Sequence, residues 1–149
     1  MRPCVLISAC LLGVNCRYAG DGKLIEGLDQ LMQRAQLIPV CPEIYGGLPT
    51  PRTPAERRGA LVINRDGTDV TAQYERGARE TLKLAQLFGV KCALLKERSP
   101  SCGSGEIYDG SFSGTRTKGD GVTAELLKKN GIHVFGEAEL DVLLAFLLF

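Results

Sequence analysis

Val5-Leu6-Ile7-Ser8-Ala9-Cys10 is a short apolar run that stops on a thiol, and its reading decides the fold. Residues 4–10 are too few for an ordinary helix, and their Val and Ile content fits a strand buried on both faces. Gly13, Gly20 and Gly22 then mark a loop through Cys16-Arg17-Tyr18. Leu24, Ile25, Leu28, Leu31, Met32 and Ala35 follow at helical spacing. Leu37-Ile38-Pro39-Val40-Cys41 repeats the first design, an apolar strand closed by a cysteine. Strand, helix and strand in succession give a parallel pair joined by a right-handed crossover.

The rest of the chain extends that unit. Val70, Tyr74, Ala78, Leu82 and Ala85 share one face of a long amphipathic helix, which Asp69 or Thr71 can cap and Gly89 can stop. It leads into a third strand at residues 90–96. A helix capped by Asp120 and ending at Gly131 precedes a fourth strand at residues 132–135. Residues 137–149 form a closing helix whose apolar second half seals the core in preference to making a dimer contact. The expectation is an α/β fold in one domain over residues 1–149: a three-layer, Rossmann-like sandwich around a small, mostly parallel sheet of about four core strands. Between these elements, residues 42–54 hold four prolines and the pair Gly46-Gly47, a pattern that excludes regular structure and predicts a stiff, shaped loop. Residues 61–64 read as a short strand before a tight Asp66-Gly67 turn. Glu106-Ile107-Tyr108 and Ser111-Phe112-Ser113 flank Asp109-Gly110 as a hairpin, placed to act as a flap.

Composition narrows the function. The chain has 149 residues, 18 Lys and Arg against 17 Asp and Glu, and a net charge of +1, so bulk charge gives no argument for binding nucleic acid. Arg52, Arg57 and Arg58 lie close together around the Pro-rich loop and read as a solvated loop or a local basic patch. The longest apolar runs, residues 4–14 and 142–149, are too short to span a bilayer as helices. Ile7-Ser8-Ala9-Cys10 resembles a lipoprotein processing site, but the apolar stretch before it is too short for a signal core, so the expected location is the cytoplasm. Thiols stay reduced there, and six cysteines read as ligands, catalysts or core residues before they read as disulfides.

In a three-layer α/β sandwich, ligands bind outside the carboxyl ends of the strands. Cys10, Cys41 and Cys102 all fall at or just past such ends, Cys102 within Leu94-Leu95-Lys96-Glu97-Arg98-Ser99-Pro100-Ser101-Cys102-Gly103-Ser104-Gly105. A core cysteine has no reason to prefer that edge, whereas a ligand does. Cys4 and Cys92 sit early in strands and read as small buried hydrophobes. Cys16 reads as a structural thiol near the ligands, with a ligand role open. His133 alternates within an apolar strand as a packing residue. Three thiols leave several occupants: a zinc ion with a further ligand or water, a 4Fe-4S cluster with one iron left open, or no shared occupant at all.

Three motifs together go further. Ser8-Ala9-Cys10-Leu11-Leu12-Gly13 with Cys16-Arg17-Tyr18, Pro39-Val40-Cys41-Pro42-Glu43 with Gly46-Gly47-Leu48-Pro49-Thr50-Pro51-Arg52, and Lys96-Glu97-Arg98-Ser99-Pro100-Ser101-Cys102-Gly103 resemble the small bacterial thiouracil desulfidase family. The resemblance implies a 4Fe-4S cluster held by Cys10, Cys41 and Cys102, with a free iron that takes the substrate's sulfur. It implies catalytic roles for Glu43 and Ser101. In similar sequences an acid often follows the Arg-Tyr pair; here Ala19 does, with Asp21 two places later.

The implied reaction converts a thiolated pyrimidine, a small molecule, to its oxo form plus sulfide without net electron transfer. Arg17, Tyr18 and Arg52 are candidates for gripping the base, or for stabilising the loops they sit on. The competing reading is a non-catalytic metal- or cluster-binding protein, or a sulfur carrier, serving thiolated nucleic-acid components. A monomer and a homodimer are both compatible with the sequence.

Overall fold

The computed structural model describes residues 2–148. Strand β1 (Cys4–Ser8) ends two residues before its thiol, because Ala9–Leu12 wind into a 3-10 turn that Gly13 closes at φ +88°. Helix α1 (Leu28–Arg34) begins after Gly27 at φ +82°, so Leu24 and Ile25, which fit the helical spacing, lie in the loop before it. Strand β2 (Gln36–Val40) follows. Helix α2 (Pro42–Tyr45) corrects the expectation that the Pro-rich stretch has no regular structure. Proline fits the first turn of a helix, where its missing N–H would have had no partner. Strands β3 (Ala55–Arg58) and β4 (Leu61–Asn64) form an antiparallel hairpin, and α3 (Thr71–Leu87) leads into β5 (Cys92–Leu95). Strands β6 (Glu106–Tyr108) and β7 (Arg116–Lys118) also pair antiparallel. Here the sequence reading is corrected again: β6 pairs with 116–118, not 111–113, and residues 109–115 form the whole loop. The chain closes with α4 (Val122–Lys129), β8 (His133–Gly136) and, after a short 3-10 turn, α5 (Leu140–Phe146).

The main sheet has the order β2-β1-β5-β8 and is parallel throughout, with Ser8 opposite Val40, Ile7 opposite Leu94 and Leu94 opposite Phe135. Alternation along the strands builds two cores. Val5, Ile7, Cys92 and Leu94 face α1 and α5 through Leu31, Leu143 and Leu144. Leu6, Ala93 and Leu95 face α3 and α4 through Ala85 and Leu127. These are the three layers read from the sequence. In α5, Leu143 and Leu144 face inward while Val142 is exposed, as is Leu148 beyond the helix end. His133 lies on the edge strand and stacks on Phe146, with 4.8 Å between ring centroids. Among the described residues no helix is long and apolar enough to cross a membrane.

Chain order reverses beside β1: the chain first steps to β2, then returns past β1 to β5 and β8. A crevice therefore opens outside the carboxyl ends of β1 and β5, the usual ligand position in such sheets. Helix α2 is held at its rim by two glycines. A Cβ at Gly77 would stand 1.9 Å from the Pro42 carbonyl oxygen, and one at Gly46 would stand 1.9 Å from that of Gln73. Backbone therefore lies on backbone where α2 crosses α3. In an ordinary helix Gly→Ala gains about 1 kcal/mol. At position 77 the forced displacement should outweigh that gain and leave Gly77→Ala less stable by roughly 1–3 kcal/mol. Urea denaturation checks this; a variant more stable than the wild type would contradict the close packing.

Candidate active site

Three strands of the sheet each give way, at the same edge, to a segment bearing a cysteine. Cys10 lies in the 3-10 turn after β1, Cys41 is the residue between β2 and α2, and Cys102 follows β5 by way of loop 96–101. All three line one cavity of about 480 Å³, and Cys16 joins them on its wall. Cys10, Cys16 and Cys102 are buried, while Cys41 is partly open. The Cys41 Sγ lies 3.9 Å from the Cys16 carbonyl oxygen. Cys92 is buried at the start of β5, away from the cavity, and Cys4 lies half-buried near the sheet's opposite edge.

Burial controls the charge of these thiols. It pushes Cys10 up to about 11, with Cys41 beside it adding to the rise. It pushes Cys16 up to about 12, helped by Cys41 and Cys10. Cys102 is raised by burial too, and Cys92 reaches about 11 for the same reason. Each folded value lies above the ordinary thiol value, so an unfolded chain releases these protons at a lower pH than the folded chain does. The stability they contribute is present below pH 9 and is lost as pH rises towards 12. The urea midpoint of cluster-free protein should fall between about pH 8 and about pH 10.5. A flat or rising midpoint would contradict the burial of these groups.

The same chemistry bears on what the cavity can hold. Thiols this reluctant to ionise become thiolates only against a strongly cationic partner, and soft thiolates select zinc, cuprous ion or iron–sulfur clusters. Among the described residues no three His, Cys, Asp or Glu side chains converge tightly enough to surround one metal ion. A polynuclear cluster takes each thiolate on a different iron, and the cavity that the three thiols line has room for one.

Facing the thiols is a second constellation, centred on Glu43 in the first turn of α2. Arg52 Nε donates to Glu43 Oε2 at 2.7 Å, and Nη2 forms an ion pair with the same oxygen at 2.6 Å. Tyr74, from the buried face of α3, lies beside the same carboxylate on the cavity wall, and burial together with the Glu43 charge holds its hydroxyl protonated. Arg52 Nη2 also donates to the Cys16 carbonyl at 3.0 Å, and Nη1 donates to the Pro49 carbonyl and the Thr50 hydroxyl. All three guanidinium nitrogens are thus engaged inside the protein. Arg52 ties the Cys16 loop, α2 and the Pro-rich loop together at the cavity wall.

A sequence profile of the 2-thiouracil desulfurase family matches residues 5–139. The chain belongs to this family. A solved 4Fe-4S-dependent thiouracil desulfidase, TudS, is 48% identical to it and superposes with a TM-score of 0.93, over 99% of this chain and 100% of that one. The uncharacterized protein YbbK of Bacillus subtilis (strain 168) is 43% identical over 150 residues, 94% of this chain and 99% of its own.

This desulfurase-family chain places its remaining candidate residues unevenly. Arg17 and Tyr18 line the cavity, Tyr18 near its open side. Arg17 packs over the Tyr18 ring and reaches both oxygens of Asp21, so the acid two places beyond Ala19 takes the arginine. Ser101 is not on the cavity wall. Its side chain is fully buried and shares a 2.8 Å hydrogen bond with the Thr123 hydroxyl of α4. Its carbonyl accepts the N–H groups of Thr123 and Ala124, and a Cβ at Gly121 would stand 2.4 Å from that oxygen. Ser8 and Ser99 are the serines that reach the cavity. The Ser99 hydroxyl accepts from the backbone N–H groups of Ser101 and Cys102 at 3.0 Å and so shapes the loop that carries the thiol.

Neither Ser8, Ser99 nor Tyr74 was singled out from the sequence. Tyr74 carried a usable signal, because a tyrosine on an otherwise apolar helix face has a hydroxyl that needs a partner when buried. The arginine cluster is corrected as well. Arg57 is bound to the Asp120 carbonyl and to Glu125, and Arg58 to the Gly110 carbonyl, so these residues are cross-links between segments and not a basic patch.

Proposed function

We propose that this protein is a 4Fe-4S-dependent desulfidase that removes sulfur from thiouracil or a similar small thiolated pyrimidine. The observation that carries the proposal is the single cavity at the switch point of the sheet, with Cys10, Cys41 and Cys102 on its wall together with Glu43. Cys10, Cys41 and Cys102 are the assigned ligands. When bound, the cluster supplies a Lewis-acidic iron with an open position, suited to polarising a thiocarbonyl sulfur.

The chain's own groups supply the remainder. Glu43 takes a proton from the attacking water and returns it to the ring nitrogen or to the departing sulfur. Arg52 holds Oε2 of that carboxylate, and Tyr74 lies beside it on the cavity wall. Tyr18 and Arg17 border the open side, where a flat base can rest. Ser101 acts as a positioning residue: through Thr123 it anchors the Cys102 loop to α4. The balance is thiouracil plus water giving uracil plus hydrogen sulfide, with no oxidant or reductant consumed.

Anaerobically reconstituted protein given 2- or 4-thiouracil tests this, with uracil and sulfide measured together. Equal amounts of the two products are the expected result. A cluster-loaded protein that releases no more sulfide than its cluster-free form would overturn the assignment and favour a carrier.

A further inference from the structure

The geometry points to Phe112 as the residue that decides which rings the cavity accepts; this rests on the function proposed above. Phe112 sits in loop 109–115 between β6 and β7 with a backbone φ of +56°. That region is costly for a bulky side chain and natural for glycine. The same loop does use glycine at its other left-handed positions, Gly110 at φ +95° and Gly114 at φ +79°. An aromatic residue retained in a conformation that suits glycine calls for a reason in its side chain.

Core packing does not supply one. Phe112 belongs to none of the three apolar clusters among the described residues and is only half-buried. Its ring instead lies on the wall of the cavity that holds the three thiols. The protein also holds the ring there firmly. Glu56 Oε1 accepts from the backbone N–H groups of both Gly110, at 3.0 Å, and Phe112, at 3.1 Å. Arg58 Nε donates to the Gly110 carbonyl at 2.7 Å, and the guanidinium groups of Arg58 and Arg65 lie 6.0 and 5.6 Å from the ring centroid. The loop is thus fastened to β3, with Phe112 on the wall of the cavity that the thiols also line.

A thiolated pyrimidine is flat and uncharged, and its ring gains most from an aromatic neighbour that excludes water. Phe112 supplies that contact and Arg65 extends the same wall. An acyclic thioamide offers no ring to meet it, so Phe112 selects for the cyclic substrate.

The test compares cluster-loaded wild type with Phe112→Leu, Phe112→Tyr and Phe112→Gly. Three quantities are read: sulfide release from 2-thiouracil, calorimetric binding of uracil, and Tm. Phe112→Leu should raise KM and the uracil Kd by about tenfold, as loss of one base–aromatic contact does, with kcat within about twofold. Phe112→Tyr should stay near wild type. Phe112→Gly should raise KM at least as much while Tm holds or increases, because the strained backbone relaxes. Unchanged uracil binding in Phe112→Leu would overturn the assignment, as would a Phe112→Gly protein in which Tm and activity fall together. Wild type that binds uracil but releases no sulfide would count against the desulfidase reading alone. Wild type that does not bind uracil would overturn both.

Discussion

Cys41→Ala protein taken through anaerobic reconstitution is expected to retain its fold, to lose its four-iron absorption and to release sulfide from thiouracil more than about a hundredfold more slowly than wild type. The same holds for Cys10→Ala and Cys102→Ala. Each thiol lies at the end of the sheet and not in its middle, so truncation removes a ligand while the strands beneath it keep their pairing. The controls are built into the chain. Cys92 is more buried than the assigned ligands but lies at the start of β5, and Cys92→Ala should keep its iron and its turnover at a modest cost in stability. Cys16→Ala shares the cavity wall and should also keep its iron, since three ligands suffice. Iron content, absorption and Tm measured on all five variants check this. A Cys41→Ala protein that still carries a full cluster would remove Cys41 from the ligand set.

Glu43→Gln separates chemistry from assembly. The amide keeps the size of the side chain and a hydrogen-bond acceptor for Arg52, but it cannot take a proton from water. The loss of a positioned acid–base group typically costs about 10²- to 10⁴-fold, so kcat should fall in that range with iron and labile sulfide unchanged. Single-turnover sulfide release is the measurement that reads it. A variant within about threefold of wild type would remove Glu43 from the chemistry and leave Arg52 holding a structural carboxylate. Loss of the cluster together with activity would instead give Glu43 a role in assembly.

Much of this was legible in the sequence because it follows from period and punctuation. The parallel sheet was readable because Val5 to Ile7 and Leu37 to Val40 are apolar runs too short for helices with a helical spacing between them. The thiol-bearing edge was readable because these two runs lead straight into Cys10 and Cys41, and a third strand leads into the loop that carries Cys102. Helix α2 was missed because a Pro-rich composition masks a single helical turn, and what stabilises that turn is remote: Gly77, thirty-five residues from Pro42, lets the two backbones touch. Register failed in the flap for a related reason. Asp109-Gly110 is a good local turn, but Glu56 and Arg58 of β3 capture its backbone and force a wider loop.

The candidate site divided in the same way. Residue types that chemistry demands, the three thiols and Glu43, reach the cavity as the motifs suggest. Residues whose roles depend on direction do not follow from spacing. Ser101 stands next to a thiol in sequence yet turns towards Thr123, and Arg52 cross-links three segments that the sequence keeps apart. Tyr74 shows the reverse, a residue read as core that reaches into the site from beneath.

The central claim is that residues 10, 41 and 102 share one inorganic core and leave a coordination position free for substrate sulfur. An iron anomalous difference map from crystals of the cluster-loaded protein grown without oxygen measures that directly. The account predicts four iron peaks in the cavity at the carboxyl edge of the sheet, three of them bonded to the sulfurs of Cys10, Cys41 and Cys102 and the fourth to no protein atom. A single metal peak, or a fourth iron bonded to Cys16, would contradict it.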